Sequence, residues 1–357
     1  MGALSPFFNM QNMTNHKLTL EDIARLCNVS RSTVSRVINN HPNVSDPIRE
    51  RVQRVIRETD FHPNEAARTL ASQRSWVIGL VLPRTIAALF TDPYYSRIIQ
   101  GVAQGCNQSN YTLALFLIAT REDEEKIYPR ISRKGLLDGV IIQASNVGDS
   151  LADRLARSDM PLLMAGRPFR TDIVSSIDIN NVAASGVAVQ HLVDLGYKRI
   201  ATITGLPQHT SGIDRIEGYR KTLIENGLPV DERLIAEGDF TEEGGYLAMK
   251  KLLAMQPHPD AVFAASDTTA AGAMRATREA SLRIPQDIAF VGFDDLLPIS
   301  PRVTPQLTTI RQPIVRFGTR AVELLIERIE NGSLPVRREI METQLIVRDS
   351  CGASLRK

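Results

Sequence analysis

Between Asn28 and Asn39 the chain reads NVSRSTVSRVIN, a segment with two arginines, several small hydroxyl residues and no acid. Arginine can grip O6 and N7 of guanine with two parallel hydrogen bonds, and serine or asparagine can bond base edges or phosphate oxygens. Wound at about 100° per residue, the segment places Thr33, Val34, Val37 and Ile38 at the back. Arg31, Ser32, Ser35, Arg36 and Asn39 form the front. An acid on that front would repel phosphate, and none occurs from Ile23 to Ser45. Arg31, Ser32 and Arg36 are the candidate base readers, with Thr33 in reach of a flanking phosphate. Taken alone, the segment fits the solvated face of an ordinary amphipathic helix equally well, so its neighbours decide.

Upstream, TLEDIARLCN reads as a second short helix, capped by Thr19 with Asp22 as a capping-box acid and carrying a buried stripe of Leu20, Ile23, Ala24 and Leu26. Only Asn28-Val29 separates its end from Ser30, the N-cap of the arginine helix, which leaves room for a tight turn and nothing more. Two short helices joined this way form a helix-turn-helix, whose second helix enters the major groove of DNA. A third helix opens at Ser45 or Asp46 with Pro47 in its first turn; its stripe of Ile48, Val52, Val55 and Ile56 completes a small core.

From Lys17 to Ser75 ten basic residues face seven acids, a net of +3 in a chain whose total is +2. The excess is small, so specific DNA binding would depend on a dimer doubling it. The 357 residues predict two or three domains. Cys27, Cys106 and Cys351 lie far apart without paired spacing, which argues against a disulfide framework or a zinc site and fits a reducing cytoplasm. Residues 1–16 lack the basic start and long apolar stretch of a secretory signal and are expected to be a disordered extension or to precede a later start.

From Trp76 onward short apolar strands recur (VIGLVLP, YTLALFLI, DGVIIQA, PLLMAG, RIATITG, AVFAAS, DIAFVGF) with amphipathic helical stretches between them. Buried strands alternating with helices predict an α/β body of parallel sheets flanked by helices, long enough for two lobes. No GxGxxG follows the first strand, no phosphate loop or nucleophile elbow occurs, and the histidines form no metal-spaced pair. Thr241 followed by two glutamates in DFTEEGGY is a capped helix start rather than a phosphate cradle. Neither an enzyme nor a cofactor is expected.

The ordered motifs TLEDIARLCNVSRSTVSRVIN, FHPNEAARTLAS, VSSIDINNVAASGVAVQHLVDLGYKRIATITG, DRIEGYRKTL, LRIPQDIAFVGFDD and PQLTTIRQP resemble the lactose-repressor/galactose-repressor family of bacterial regulators from Lys17 to about Arg348. The resemblance implies a cytoplasmic, nucleoid-associated homodimer reading a palindromic operator. Its body would resemble a periplasmic sugar-binding protein, with a small molecule between the lobes shifting the spacing of the DNA heads. Ligand and operator would favour different lobe arrangements, and that difference is the allosteric coupling. The implied domains are the helix-turn-helix at 17–62, a hinge helix and linker at 63–75, and the effector domain at 76–350 with a tail at 351–357. The N-lobe takes about 76–177 and 309–335, the C-lobe about 178–308 and 336–350. The end of the chain carries no leucine-rich heptad tail, so a tetramer built on one is not expected.

Position by position, Arg31, Ser32, Ser35 and Arg36 match the family's base and phosphate contacts. Leu20 (through its backbone amide), Asn39, Asn43 and Ser45 match its phosphate anchors, and Thr19, Ser30 and Thr33 are expected among the DNA-binding residues with them. In the hinge helix, capped by Asn64 and running through Ala67, Leu70 matches the leucine that wedges between base pairs in the minor groove. The alternative for Leu70 is packing against its dimer mate. Glu65 departs from the pattern and would face phosphate or pair with Arg68.

In the cleft, Arg215 matches an arginine that bonds sugar hydroxyls, and Asp294 an acid that bonds a vicinal pair of them, a task suited to two parallel hydrogen-bonding atoms. Asp294 could instead cap a helix before LLPIS, and Arg215 could pair with Glu217. Phe240 matches an aromatic stacking position, and Tyr94 and Tyr95 would add an aromatic wall or pack their own helix. Ser266 stands where the family has an asparagine, and Gly166-Arg167 where the lactose repressor has an acid. These changes point away from a galactoside and leave a sugar. A solute-binding protein for sugar uptake shares the two-lobed body, but it would need an export signal and has no use for residues 17–75.

Overall fold

The computed structural model describes residues 18–38, 41–61, 74–83, 85–143, 150–168, 173–297, 299–332 and 334–355. The expected N-terminal extension and the hinge positions Asn64, Glu65, Ala67, Arg68 and Leu70, like Asn39, lie outside the described residues. The chain divides into two compact units, Met1–Arg74 and Ser75–Lys357.

Among its described residues the first unit holds three helices, α1 (Leu20–Cys27), α2 (Arg31–Ile38) and α3 (Asp46–Glu58). Thr19 and Asp22 close a reciprocal capping box at the start of α1. At its end Asn28 takes the left-handed conformation (φ 50°) that stops a helix, and the next amide, of Val29, donates back to Ala24 O at 3.0 Å. The core gathers Ile23, Ala24, Cys27, Val34, Val37, Val52 and Phe61. Leu26, expected in the buried stripe, is exposed. Cys27 lies within the core instead, because the helix ends one residue later and its last turn faces α3.

The second unit contains two six-stranded sheets. In the first, β1 (Val77–Leu82), β2 (Thr112–Leu117), β3 (Gly139–Gln143), β4 (Leu162–Ala165), β5 (Ser175–Ile179) and β11 (Arg338–Met341) lie in the order β11-β5-β4-β3-β1-β2, all parallel. In the second, β6 (Ile200–Ile203), β7 (Ile235–Ala236), β8 (Ala261–Ala264), β9 (Ala289–Asp294), β10 (Thr308–Arg311) and β12 (Gln344–Ile346) run β12-β10-β9-β8-β6-β7, with only the β10–β12 pair antiparallel. The first lobe's helices are α4 (Ile86–Thr91), α5 (Pro93–Gln108), α6 (Arg121–Ile131), α7 (Ser150–Ala156) and α12 (Ile314–Asn331); the second's are α8 (Asn181–Asp194), α9 (Thr210–Glu225), α10 (Glu242–Leu253) and α11 (Asp267–Glu279).

The chain passes between the lobes after β5, after β10 and after β11. Each crossing departs from the expected boundary. Residues 178–179 finish a strand of the first sheet, 309–311 lie within a strand of the second, and 338–341 return to the first. The run RREIMETQLIV splits at Glu342-Thr343 to serve both sheets. Arg320 fixes the first half by donating to Glu339 at 2.7 and 2.9 Å, tying β11 to α12. Just after β9, Asp295 accepts from Arg348 and Arg311 (2.6 Å each) and Ser300 (2.8 Å). Burial raises its pKa, but these bonds outweigh that and hold the carboxyl below its ordinary value.

Helices α5 and α12 touch backbone to backbone. A Cβ on Gly101 would come within 2.2 Å of Val315 O, and one on Gly318 within 2.8 Å of Ile98 O. Overpacking of this kind costs about 1–3 kcal/mol. Gly101→Ala is therefore expected to lower the unfolding free energy by that amount; an unchanged denaturant midpoint would show the helices can separate freely.

Candidate functional site

The exposed face of α2 consists of Arg31, Ser32 and Arg36, with Ser35 and Thr33 half-buried at its margins and Val34 and Val37 in the core. Ser30 caps the helix. Its Oγ accepts from the Thr33 amide at 3.2 Å and lies 2.8 Å from both the Ser32 and Thr33 hydroxyls. Leu20 opens α1, where the first backbone amides have no intrahelical partner. Thr19, Asn43 and Ser45 are exposed, and Ser45 occupies the cap position of α3 without a side-chain bond. An unanticipated contact joins the two helices of the motif: Arg31 Nη1 meets Glu21 Oε1 at 3.1 Å. Both ends are solvated, so the pair is worth under about 1 kcal/mol, and the arginine can leave it for a base.

In the second unit a cleft opens between the lobes, lined by residues from both. All seven residues expected to meet an effector line it: Tyr94, Tyr95, Arg167, Arg215, Phe240, Ser266 and Asp294. Asp92 caps α5 by accepting from the Tyr94 amide at 3.0 Å, which sets the two tyrosines at the first turn. Tyr95 is buried in the first lobe's core and Tyr94 half-buried; their rings meet edge to face at 5.6 Å. Phe240 adopts φ 68°. Its ring lies where a Cβ on Gly205 would fall, and meets the His209 ring at 5.9 Å.

Arg215 is the centre of the cleft's polar wall. It is buried, its Nε donates to Asn181 Oδ1 at 2.9 Å, its Nη1 to Ala265 O at 2.5 Å, and its guanidinium lies 3.7 Å from the centre of the Phe293 ring. Asp294, at the C-terminal end of β9, stands 3.6 Å from Arg215 Nη1 and accepts from Gln312 Nε2 at 2.5 Å. The amide of Leu296 donates instead to Asp267, at 2.7 Å, and the described residues after it form no helix. So Asp294 is not a cap, and Arg215 takes Asp294 rather than Glu217.

Burial pushes the Asp294 carboxyl up to about 7, helped by Asp92 and opposed by Arg215 and by the Gln312 bond. Asp178, on β5, is likewise pushed up to about 7 by burial and by Asp214, against the Ile179 backbone bond, Arg215 and Arg167. At neutral pH each carboxyl is therefore divided between donor and acceptor forms. A carboxyl whose folded pKa exceeds its unfolded one stabilises the fold below the unfolded value, near 4, and loses that contribution as pH rises through about 7. Asp294→Asn is thus expected to gain stability relative to wild type between pH 4 and 8. A constant difference in melting temperature over that range would refute the assignment.

Two expected contacts have their bonding largely taken. Ser266 caps α11, accepting from the Thr269 amide at 3.1 Å. Arg167 donates to Asp214 through Nε (2.8 Å) and Nη2 (2.7 Å). Sequence reasoning missed Gln143, Asp178, Asn181, His209 and Gln312, which also line the cleft. Gln143 could have been found, because an amide ending the apolar run of a buried strand is costly unless something bonds it. Its Oε1 is buried with no hydrogen-bond partner. Convergent amides, a guanidinium, two protonatable carboxyls and aromatic faces suit a neutral, hydroxyl-rich molecule.

Residues 19–64 match the model described as bacterial regulatory proteins, lacI family, and residues 189–351 a periplasmic binding protein-like domain. The transcriptional regulator CelR of Thermobifida fusca is 36% identical over 93% of this chain and 98% of its own. The ribose operon repressor of Haemophilus influenzae is 34% identical, with 93% and 98% covered. Among solved structures, the CelR–cellobiose complex superposes with a TM-score of 0.74 at 35% identity over 93% of this chain and 99% of that one. The lac repressor dimer bound to operator and the anti-inducer ONPF gives 0.81 at 28% identity, over 94% and 99%. With a helix-turn-helix in its first unit and a two-lobed body around a polar cleft in its second, the chain belongs to the lacI family of bacterial transcriptional regulators, which are not enzymes.

Proposed function

We propose that the protein is a sugar-responsive repressor that binds a palindromic operator as a homodimer and is switched by a neutral sugar held between its lobes. The observation that carries this reading is the buried Arg215–Asp294 pair facing aromatic side chains in the cleft. The cellobiose complex of CelR and the ribose operon repressor support a sugar as the class of effector. Arg31, Ser32 and Arg36 read bases, and Thr19, Leu20, Ser30, Thr33, Ser35, Asn39, Asn43 and Ser45 meet the backbone. Residues 63–75 act as hinge, with Asn64 as cap, Ala67 against DNA and Leu70 as the minor-groove wedge. Tyr94, Tyr95, Arg167, Arg215, Phe240, Ser266 and Asp294 line the effector site. In this reading the protein acts in the cytoplasm, at the nucleoid, because its operator is chromosomal DNA. A solute-binding role leaves the helix-turn-helix at residues 19–64 without a purpose.

A thermal-shift panel of cellobiose, ribose and other mono- and disaccharides beside sugar phosphates and purines tests the effector class. A ligand that binds only the folded state raises the melting temperature by mass action. A neutral sugar is expected to raise it; a rise with purines or phosphates alone would overturn the reading.

A further inference from the structure

Arg167 and Asp214 belong to different lobes. Arg167 follows β4 of the first sheet, while Asp214 lies on α9 of the second lobe. Their bond uses two donors of the guanidinium and both oxygens of the carboxylate, at 2.8 and 2.7 Å. The Asp214 side chain is 13% exposed and that of Arg167 37%, so the pair is shielded more than a surface one.

Both ends are rigidly mounted. Gly166 turns the chain with φ 112°, a conformation that a residue with a Cβ rarely adopts. Its amide donates to Ile177 O at 2.7 Å, so the backbone just before Arg167 cannot drift. Asp214 sits in a sixteen-residue helix beside Arg215, whose guanidinium is bonded to Asn181 and to the carbonyl of Ala265. Hydrogen bonds weaken steeply with distance and misalignment. A separation of the lobes by little more than an ångström therefore breaks both bonds together.

We propose that Arg167, on the wall of the cleft, and Asp214 form a latch that holds the two lobes together before any effector is bound. The latch goes beyond the effector reading, because it acts on lobe closure whatever molecule fills the cleft. It also gives Asp214 a positioning role, setting Arg167 as a wall of the cleft, with one terminal nitrogen outside the bidentate bond.

The test is a distance measurement on the full-length protein without effector. Spin labels are placed on cysteines introduced at Lys134 in the first lobe and Lys221 in the second, both exposed, with labelled chains diluted among unlabelled ones. The native cysteines are buried and do not compete for label. Wild type should give one narrow interlobe distance. Asp214→Asn should add a longer distance and lower the closed-to-open ratio about fivefold, the upper range for a partly screened pair. The exchanged pair, Arg167→Asp with Asp214→Arg, should restore the narrow distance, an outcome that general damage to the fold would not produce. A broad wild-type distribution, an Asp214→Asn distribution that superposes on wild type, or an exchanged pair no different from the single variant would each overturn the latch.

Discussion

Arg36→Ala is expected to weaken operator binding by about 2–6 kcal/mol in the proposed dimer, roughly 30- to 25,000-fold, because each protomer would lose one bidentate base contact worth about 1–3 kcal/mol. The loss should depend on sequence. Arg36 sits in the last turn of α2, exposed beside Ser32 and Ser35 and backed by the buried Val34 and Val37. Truncating it removes a reader without disturbing the core that holds the helix. Binding to the preferred site should fall toward the level of non-specific DNA, and preference at one base pair of each half-site should relax. Titrations over a series of salt concentrations separate this from simple charge loss. A phosphate contact would weaken all sequences equally and reduce the salt slope by about one per site. Effector affinity, measured by calorimetry on the same preparation, should not change.

Asp294→Ala is expected to act in the opposite way, sparing DNA binding and abolishing the effector response. The carboxyl is buried, accepts from Gln312 and faces Arg215 at 3.6 Å. A hydrogen bond to such a group is worth about 1.5–3 kcal/mol, and a vicinal diol would make two. Their combined loss should lower effector affinity by two to four orders of magnitude. Part of the cost arises because Arg215 is left buried without its counter-charge. Operator affinity in the absence of effector should stay within a few-fold of wild type, since the substituted group lies in the body and the base readers lie in the head. An undiminished effector response in Asp294→Ala would move the site elsewhere in the body.

The parts of this molecule that could be read from its sequence are those set by local forces. The helix-turn-helix is legible because a cap, a left-handed stop at Asn28 and a short turn are decided within a few residues of one another. The strands are legible where they are buried on both faces, as in β1, β3 and β9, because nothing polar can interrupt them. The lobe crossings were not, since only Glu342-Thr343 separates β11 from β12 and it is pairing with β5 and β10 that assigns them to different sheets. The cleft was half legible. Arg215 and Asp294 stand out by resemblance, yet their pairing, the Arg167–Asp214 bond and the Glu21–Arg31 contact depend on which distant residues the fold brings together. Asp178 was hidden because an acid in a strand reads as a surface position until both faces of the sheet are covered.

In the proposed function, occupancy of the cleft is coupled to the grip of α2 on DNA. The most direct test selects the preferred DNA from a random pool and titrates the full-length protein onto it by fluorescence anisotropy, with and without a sugar that the thermal-shift panel shows to bind. The sugar should weaken operator affinity at least about fivefold, the lower range for allosteric coupling, and Asp294→Ala should remove the shift. Saturation of the cleft with no change in operator affinity would contradict that coupling.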